Sequence, residues 1–401
     1  MNQACMICIK MKVIVLYLYL LLFSACIGRE REEEYPILKA PLKESEFLLT
    51  DIFDRVEVIP LETNDSCLLV FPTQVLCENG RYEVFDFDHS ALFLFDKNGQ
   101  FLKKVGQRGN GPQEYISVCD VMHDSRNGNI CLLSPRGEIF CYSSNGDFQE
   151  RRKLPVKVNY QCIEDFDDYF VTWTIPGGPD KYGVSIITKD SLQLVCEYGS
   201  GNRNLLTQNN LGALYQYDGR LYFSKWYSRK TYEVDVSGLH VAYQWDFDKA
   251  NYEIEDFGFS SNKEGGREEQ SRLIKDLQDG TFPYVIVLQR QNKDYYYAKL
   301  SFGSKQEGEI YYRKADGKSL FFKKTKHGSN LNPMCFNDEY VIYLSLYEDI
   351  ARFENLLDEQ ELAKLEGRTE EDNPFLIKFT SNEKVIVCCM CDSIIARFLF
   401  M

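Results

Sequence analysis

One pattern recurs along most of this chain: an apolar strand, a polar turn, then a second apolar strand. It reads Leu92-Phe93-Leu94-Phe95-Asp96-Lys97-Asn98-Gly99-Gln100-Phe101-Leu102, and returns at residues 139–148, 185–192, 232–239, 310–320 and 375–385. Asn-Gly and Asp-Gly tolerate the positive φ that tight hairpins need, so these are hairpin signals. The turns at Gly99, Gly146, Ser191 and Gly238 lie 47, 45 and 47 residues apart, close to the period of a propeller blade. A second turn precedes most copies, as Glu78-Asn79-Gly80-Arg81, Ser125-Arg126-Asn127-Gly128, Tyr217-Asp218-Gly219-Arg220 and Asn292-Lys293-Asp294. Two hairpins per period make four antiparallel strands, which is one blade. Six copies therefore predict an all-β chain, a six-bladed β-propeller of four-stranded antiparallel blades. The 26 Tyr and 27 Phe agree with this, because aromatic residues favour strands. A ring has to close, since open sheet edges invite mispairing. The strand Arg55-Val56-Glu57-Val58-Ile59-Pro60-Leu61 stands alone ahead of the first copy, and is expected to complete the last blade as a clasp.

The last two intervals, 79 residues to Gly317 and 65 more to Asn382, are longer. Residues 262–277 and 350–365 carry helical spacing, with Leu273, Ile274 and Leu277 in one and Leu356, Leu357, Leu362 and Leu365 in the other. Two short helical insertions are expected there. They either shape a binding face or simply shield a blade edge.

The N-terminus sets the location. Residues 13–25 are an apolar run of 13 residues behind Lys10 and Lys12, too short for the roughly 20 a spanning helix needs. It ends in Phe23-Ser24-Ala25-Cys26 and is followed by the acidic stretch Arg29-Glu30-Arg31-Glu32-Glu33-Glu34. Small residues before such a cysteine resemble a bacterial lipoprotein signal. The resemblance implies that Cys26 is lipidated, and becomes the first residue of a chain anchored in the outer membrane or at the cell surface. Each buried acyl methylene adds about 0.8 kcal/mol to that anchoring. The expected organisation is a signal peptide over 1–25, a lipidated acidic tether over 26–50, and the propeller over 51–401. Met11 is an alternative start to Met1.

Between the first two copies runs Gly106-Gln107-Arg108-Gly109-Asn110-Gly111-Pro112-Gln113-Glu114-Tyr115. Its glycines let the chain make a tight crossing between blades, and no Lys-Ser/Thr follows to make it a phosphate loop. This run resembles the hallmark of the six-bladed β-propeller lipoproteins of Bacteroidetes, relatives of NHL-repeat propellers. Gly106, Gly109, Gly111, Pro112, Glu114 and Tyr115 are then structural residues. Residues 56–63 resemble that family's start and Asp372-Asn373-Pro374 its end, leaving the cysteine-rich tail as an extension.

Chemistry is harder to read. The net charge of −14 argues against nucleic acid. Of 14 Cys, Cys5 and Cys8 precede the lipid site and most others sit in apolar runs, as buried cysteines do. Cys388-Cys389-Met390-Cys391 lacks the second pair or His that a zinc site needs. The four His, at 89, 123, 240 and 327, are far apart in sequence. Asp86-Phe87-Asp88 and Asp165-Phe166-Asp167-Asp168 read as solvated turns or calcium ligands. Trp173, in a loop running on to Pro179, and Trp226-Tyr227 are the candidate ligand-binding residues, because exposed aromatic rings stack on sugars and grip peptides. No catalytic residue, metal or cofactor is expected. The favoured reading is a non-enzymatic binding or assembly module for a glycan, peptide or envelope protein. The alternative is a metal-assisted hydrolase or lyase acting at the propeller channel.

Overall fold

The computed structural model describes residues 35–45, 52–78, 80–155, 159–175, 183–199, 212–225, 227–260, 267–303, 306–323, 333–350 and 356–381. Six small antiparallel sheets follow one another along the chain. Blade 1 spans residues 72–105, blade 2 residues 120–153, blade 3 residues 159–198, blade 4 residues 214–246 and blade 5 residues 285–322. In each of these the four strands are laid down in chain order.

Blade 6 takes only three strands from the C-terminal part: Pro333–Phe336, Tyr340–Ser345 and Phe375–Ser381. Its outer strand is Phe53–Pro60, paired antiparallel from Phe53↔Ser381 to Pro60↔Phe375. The N-terminal strand is thus the clasp that the sequence predicts. The sixth hairpin copy is corrected by the same finding: Phe375–Ser381 finds its outer partner at the other end of the chain, and residues 382–401 lie outside the described residues.

The clasp is fixed by side chains that follow it in space but not in sequence. Asn373 is buried, and its Oδ1 accepts from Leu69 N at 2.8 Å while its Nδ2 donates to Glu62 O at 2.7 Å and Cys67 O at 2.8 Å. Between the second and third strands of blade 6 lie two short helices, α2 (Tyr347–Ile350) and α3 (Glu359–Ala363). Asp358 caps α3 by accepting from Gln360 N and Glu361 N, each at 2.9 Å. Glu361 then accepts from Val58 N at 2.5 Å, and Lys364 donates to Val58 O at 3.0 Å. Both backbone groups of Val58 are thereby satisfied on the outer edge of the ring, where an open strand would otherwise present them. The longer helix α1 (Arg267–Gln278) links blades 4 and 5. It buries Leu273 completely in a cluster with Trp245, Phe259, Phe282 and Tyr284. The insertion in blade 6 therefore seals a blade edge, while α1 packs over the aromatic cluster beside blades 4 and 5.

Part of the expected tether belongs to the ring. Ile37–Lys39 pairs in parallel with Gln244–Asp246 and gives blade 4 a fifth strand. Ser45 N then donates to Phe321 O of blade 5 at 2.8 Å. The acidic stretch at residues 29–34 lies outside the described residues.

The blades hold together through apolar side chains from facing sheets. Phe85, Leu92 and Leu94 of blade 1 meet Val121, Ile130, Leu132 and Phe140 of blade 2. At about 25 cal/mol per Å2 of apolar surface removed from water, such layers supply most of the driving force for the ring.

Candidate functional site: the central channel

The first strand of each blade is innermost, so its residues surround the ring axis. They enclose a cavity of about 560 Å3 to which all six blades contribute. Blade 1 gives Gln74, blade 2 Asp120, His123 and Asp124, blade 3 Glu164 and Asp165, blade 4 Gln216, blade 5 Arg290 and blade 6 Met334.

Asp120 is buried, at 3% exposed. Its Oδ1 accepts from Gln74 Nε2 at 2.6 Å and its Oδ2 from Ile163 N at 2.7 Å, so one carboxylate ties blades 1, 2 and 3. Burial pushes its carboxyl up to about 7, and the two donors offset only part of that. Glu164 accepts from Gln216 Nε2 at 2.9 Å. Burial raises its carboxyl as well, with Gln216 and the nearby Arg290 pulling the other way. Arg290 donates to Gly212 O at 3.0 Å and Gln289 O at 2.8 Å, and lies over the Tyr215 ring at 5.4 Å. Its guanidinium is held below its ordinary range by burial. Among the described residues it makes no ion pair. Arg290 is part-buried, and its hydrogen bonds among the described residues go to carbonyls, so its guanidinium at the cavity wall is available to an anionic group.

The remaining channel charges are already engaged. Asp165 pairs with Lys189 at 2.7 Å and accepts from Ser125 Oγ at 2.7 Å, which joins blades 2 and 3. His123 Nε2 lies 2.7 Å from Glu83 Oε2. Asp86 is no calcium ligand in waiting: it accepts from Val70 N, Phe71 N and His89 N. His240 sits 2.8 Å from Ser237 Oγ in an exposed turn, and His327 lies outside the described residues. Among the described residues no three His, Cys, Asp or Glu side chains converge as metal ligands.

The placement of Trp173 is corrected by the structure. Trp173 does not lie in a loop. It is in the strand Tyr169–Ile175 of blade 3, fully buried against Leu214, Leu221 and Phe223 of blade 4. Alternation along that strand sends Trp173 into the space between blades, where a large ring fills volume that no ligand can reach. Tyr227 is half-buried, 5.8 Å from the Phe282 ring, and burial raises its phenol. Neither is an open stacking platform. Residues 176–179, Trp226 and Cys26 lie outside the described residues.

The glycine-rich run forms a closed crossing between blades 1 and 2. Gly109 N donates to Tyr115 O at 3.0 Å, and Gly111 N donates to the Glu114 carboxylate at 2.8 Å. Tyr115 is buried and donates its hydroxyl to Ser90 O at 2.6 Å. Gly106 has φ +87°, and a Cβ there would stand 2.0 Å from the Tyr115 hydroxyl. The loop is filled by its own Glu114 and Tyr115, so the glycines make room for those side chains.

Asp120, Glu164, Gln216 and Arg290 carry no motif. The available signal was positional: each lies on the first, innermost strand of its blade.

Family comparison agrees with this architecture. Residues 34–380 match the model of the domain of unknown function DUF4934. The chain belongs to this family. No curated protein matches it by sequence. Among solved structures it is similar to a "putative exported protein" from Bacteroides fragilis NCTC 9343, with TM-score 0.69 and 16% identity over 86% of this chain and 100% of the other. It is also similar to a DUF4221-family member from Bacteroides vulgatus ATCC 8482, with TM-score 0.53 and 12% identity over 82% and 97%. At such identities the likeness concerns the fold. The DUF4934 chain is a six-bladed propeller, as the repeat and the resemblance to Bacteroidetes propellers imply.

Proposed function

We propose that this DUF4934 protein is a lipid-anchored envelope protein whose propeller binds, without covalent chemistry, a small polar ligand seated in the central channel. The observation that carries the channel reading is Arg290, a part-buried guanidinium that makes no ion pair among the described residues, on the wall of a cavity of about 560 Å3. The ligand class is a peptide or glycan bearing a carboxylate, which a guanidinium grips through paired N–H donors. Gln74, Gln216 and Asp120 supply further hydrogen-bonding groups around it. The envelope location is supported by the Cys26 signal and by the exported character named for the Bacteroides fragilis relative.

Two experiments test the proposal. Binding of acidic and neutral oligosaccharides and short peptides to the purified protein is measured by calorimetry, then repeated with Arg290→Gln. Losing one charge-assisted pair costs roughly 1.5–3 kcal/mol, about 10- to 100-fold in affinity. A ligand held equally well by Arg290→Gln refutes the channel reading. For the anchor, mass spectrometry of the mature wild type should find Cys26 as an acylated N-terminus. A wild type that keeps Met11 and the apolar run refutes lipidation.

A second reading is favoured by Asp120. A carboxyl that titrates near pH 7 beside a cavity suits general acid–base catalysis. Turnover of a bound ligand that stops in Asp120→Asn would replace the binding-only reading.

A further inference from the structure

Cys131 and Cys141 oppose each other directly on the second and third strands of blade 2. Both are buried, in a cluster with Cys119, Met122, Leu133 and Ile139. Their sulfurs stand 2.9 Å apart, about 0.9 Å beyond the roughly 2.0 Å of a bonded pair. Residues so opposed on antiparallel strands have Cα atoms roughly 4.5–5.5 Å apart. That falls inside the roughly 4.4–6.8 Å that a disulfide spans, so the bond needs no backbone movement. Two other buried thiols turn to backbone carbonyls instead: Cys67 donates to Glu62 O at 3.1 Å, and Cys119 to Leu133 O and Tyr160 O at 3.4 Å each.

We propose that Cys131 and Cys141 are a disulfide-forming pair, joined in the oxidised protein across the central hairpin of blade 2. The reaction is thiol–disulfide exchange with a small disulfide such as oxidised glutathione. One cysteine thiolate attacks a glutathione sulfur, breaking the glutathione S–S bond and releasing one glutathione thiolate. The second cysteine thiolate then attacks the mixed disulfide, forming the protein S–S bond and releasing the second glutathione. Two electrons pass to glutathione, and the two thiol protons end on the released glutathione or in solvent. Because both sulfurs are buried, exchange takes place before blade 2 is packed against its neighbours. Once the ring has closed, the same burial shields the bond from reductants. Neither the channel nor the anchor enters this inference.

The sequence makes the test direct. Trypsin cuts after Arg126, Arg136 and Arg151, giving peptides 127–136 and 137–151 with one cysteine each. The protein is refolded in excess oxidised over reduced glutathione, shown to unfold cooperatively, alkylated in denaturant and digested without reduction. The expected product is the two peptides joined, two hydrogens lighter than their sum, and separated by dithiothreitol. The peptide holding Cys67 should be alkylated. In Cys131→Ala the joined species should vanish and peptide 137–151 should be alkylated. The same digest of protein secreted into the periplasm of a bacterial host needs no refolding step. Both peptides recovered separately and fully alkylated from oxidised, folded protein would overturn the proposal, as would Cys131 joined to any other cysteine.

Discussion

Asn373 offers the sharpest test of how the ring is closed. Its side chain reaches back more than three hundred positions in sequence to hold the segment that follows the clasp strand. In Asn373→Ala three hydrogen bonds disappear. Glu62 O keeps a partner, because the Cys67 thiol donates to it at 3.1 Å. Leu69 N and Cys67 O lose the side chain that satisfies them, at sites 9% and 0% exposed. An orphaned buried polar group costs about 1–3 kcal/mol, so two cost about 2–6 kcal/mol, and a central figure is about 4 kcal/mol. The assay is equilibrium unfolding in urea at 25 °C, followed by tryptophan fluorescence and circular dichroism. The midpoint should fall with the slope unchanged, since the folded ring is the same. In a thermal scan the loss corresponds to about 8 °C, at about 2 °C per kcal/mol for a domain of this size. Asn373→Asp should cost at least as much as Asn373→Ala, because its second carboxylate oxygen would face Glu62 O and Cys67 O where the amide nitrogen now donates at 2.7 and 2.8 Å. If Asn373→Ala costs under about 1 kcal/mol, the joint is not what secures the clasp, and the reasoning from orphaned groups fails.

Three further outcomes follow from the same structure. Deleting residues 53–60 should abolish cooperative unfolding of the whole propeller, since blade 6 loses the strand that closes the ring; a deletion variant that still melts as one unit refutes the clasp. Gly106→Ala should destabilise through its positive φ and its approach to the Tyr115 hydroxyl, and Tyr115→Phe should cost about 1–2 kcal/mol by orphaning Ser90 O. The double variant should be less destabilised than the sum of the two, and strict additivity would deny the contact. For Asp120 the folded carboxyl titrates near 7 against 3.8 for an exposed aspartate, so the folded state holds the proton more tightly. Stability should therefore fall as pH rises from about 4 to about 7. Asp120→Asn should remove that slope, because the Gln74 amide can turn its unpartnered Oε1 toward the new amide. Urea midpoints at pH 5 and pH 8 check this, and an unchanged slope would mean that Asp120 titrates in its ordinary range.

The fold was legible because turns are local. Asn98-Gly99, Asn145-Gly146 and Asp218-Gly219 announce hairpins through backbone chemistry that needs no tertiary partner, and their spacing counts the blades. The clasp was legible by subtraction, as one strand without a hairpin ahead of a ring that has to close. The resemblance at residues 372–374 marked the family's end, but nothing in Asp-Asn-Pro revealed that Asn373 bonds three backbone groups near the start of the domain. Trp173 shows the opposite failure: a tryptophan followed by Thr-Ile-Pro-Gly-Gly-Pro looks like a loop, yet strand pairing carries it between two blades.

What the sequence determined by itself is the architecture: six hairpin units, their order, the closing strand, and the candidate signal at Cys26. What only the tertiary structure decided is the chemistry of the centre. Asp120, Glu164, Gln216 and Arg290 come from four blades, and no local pattern links them. Their burial and their hydrogen bonds across blades exist only once the ring has closed, because closure is what brings separate blades to one cavity.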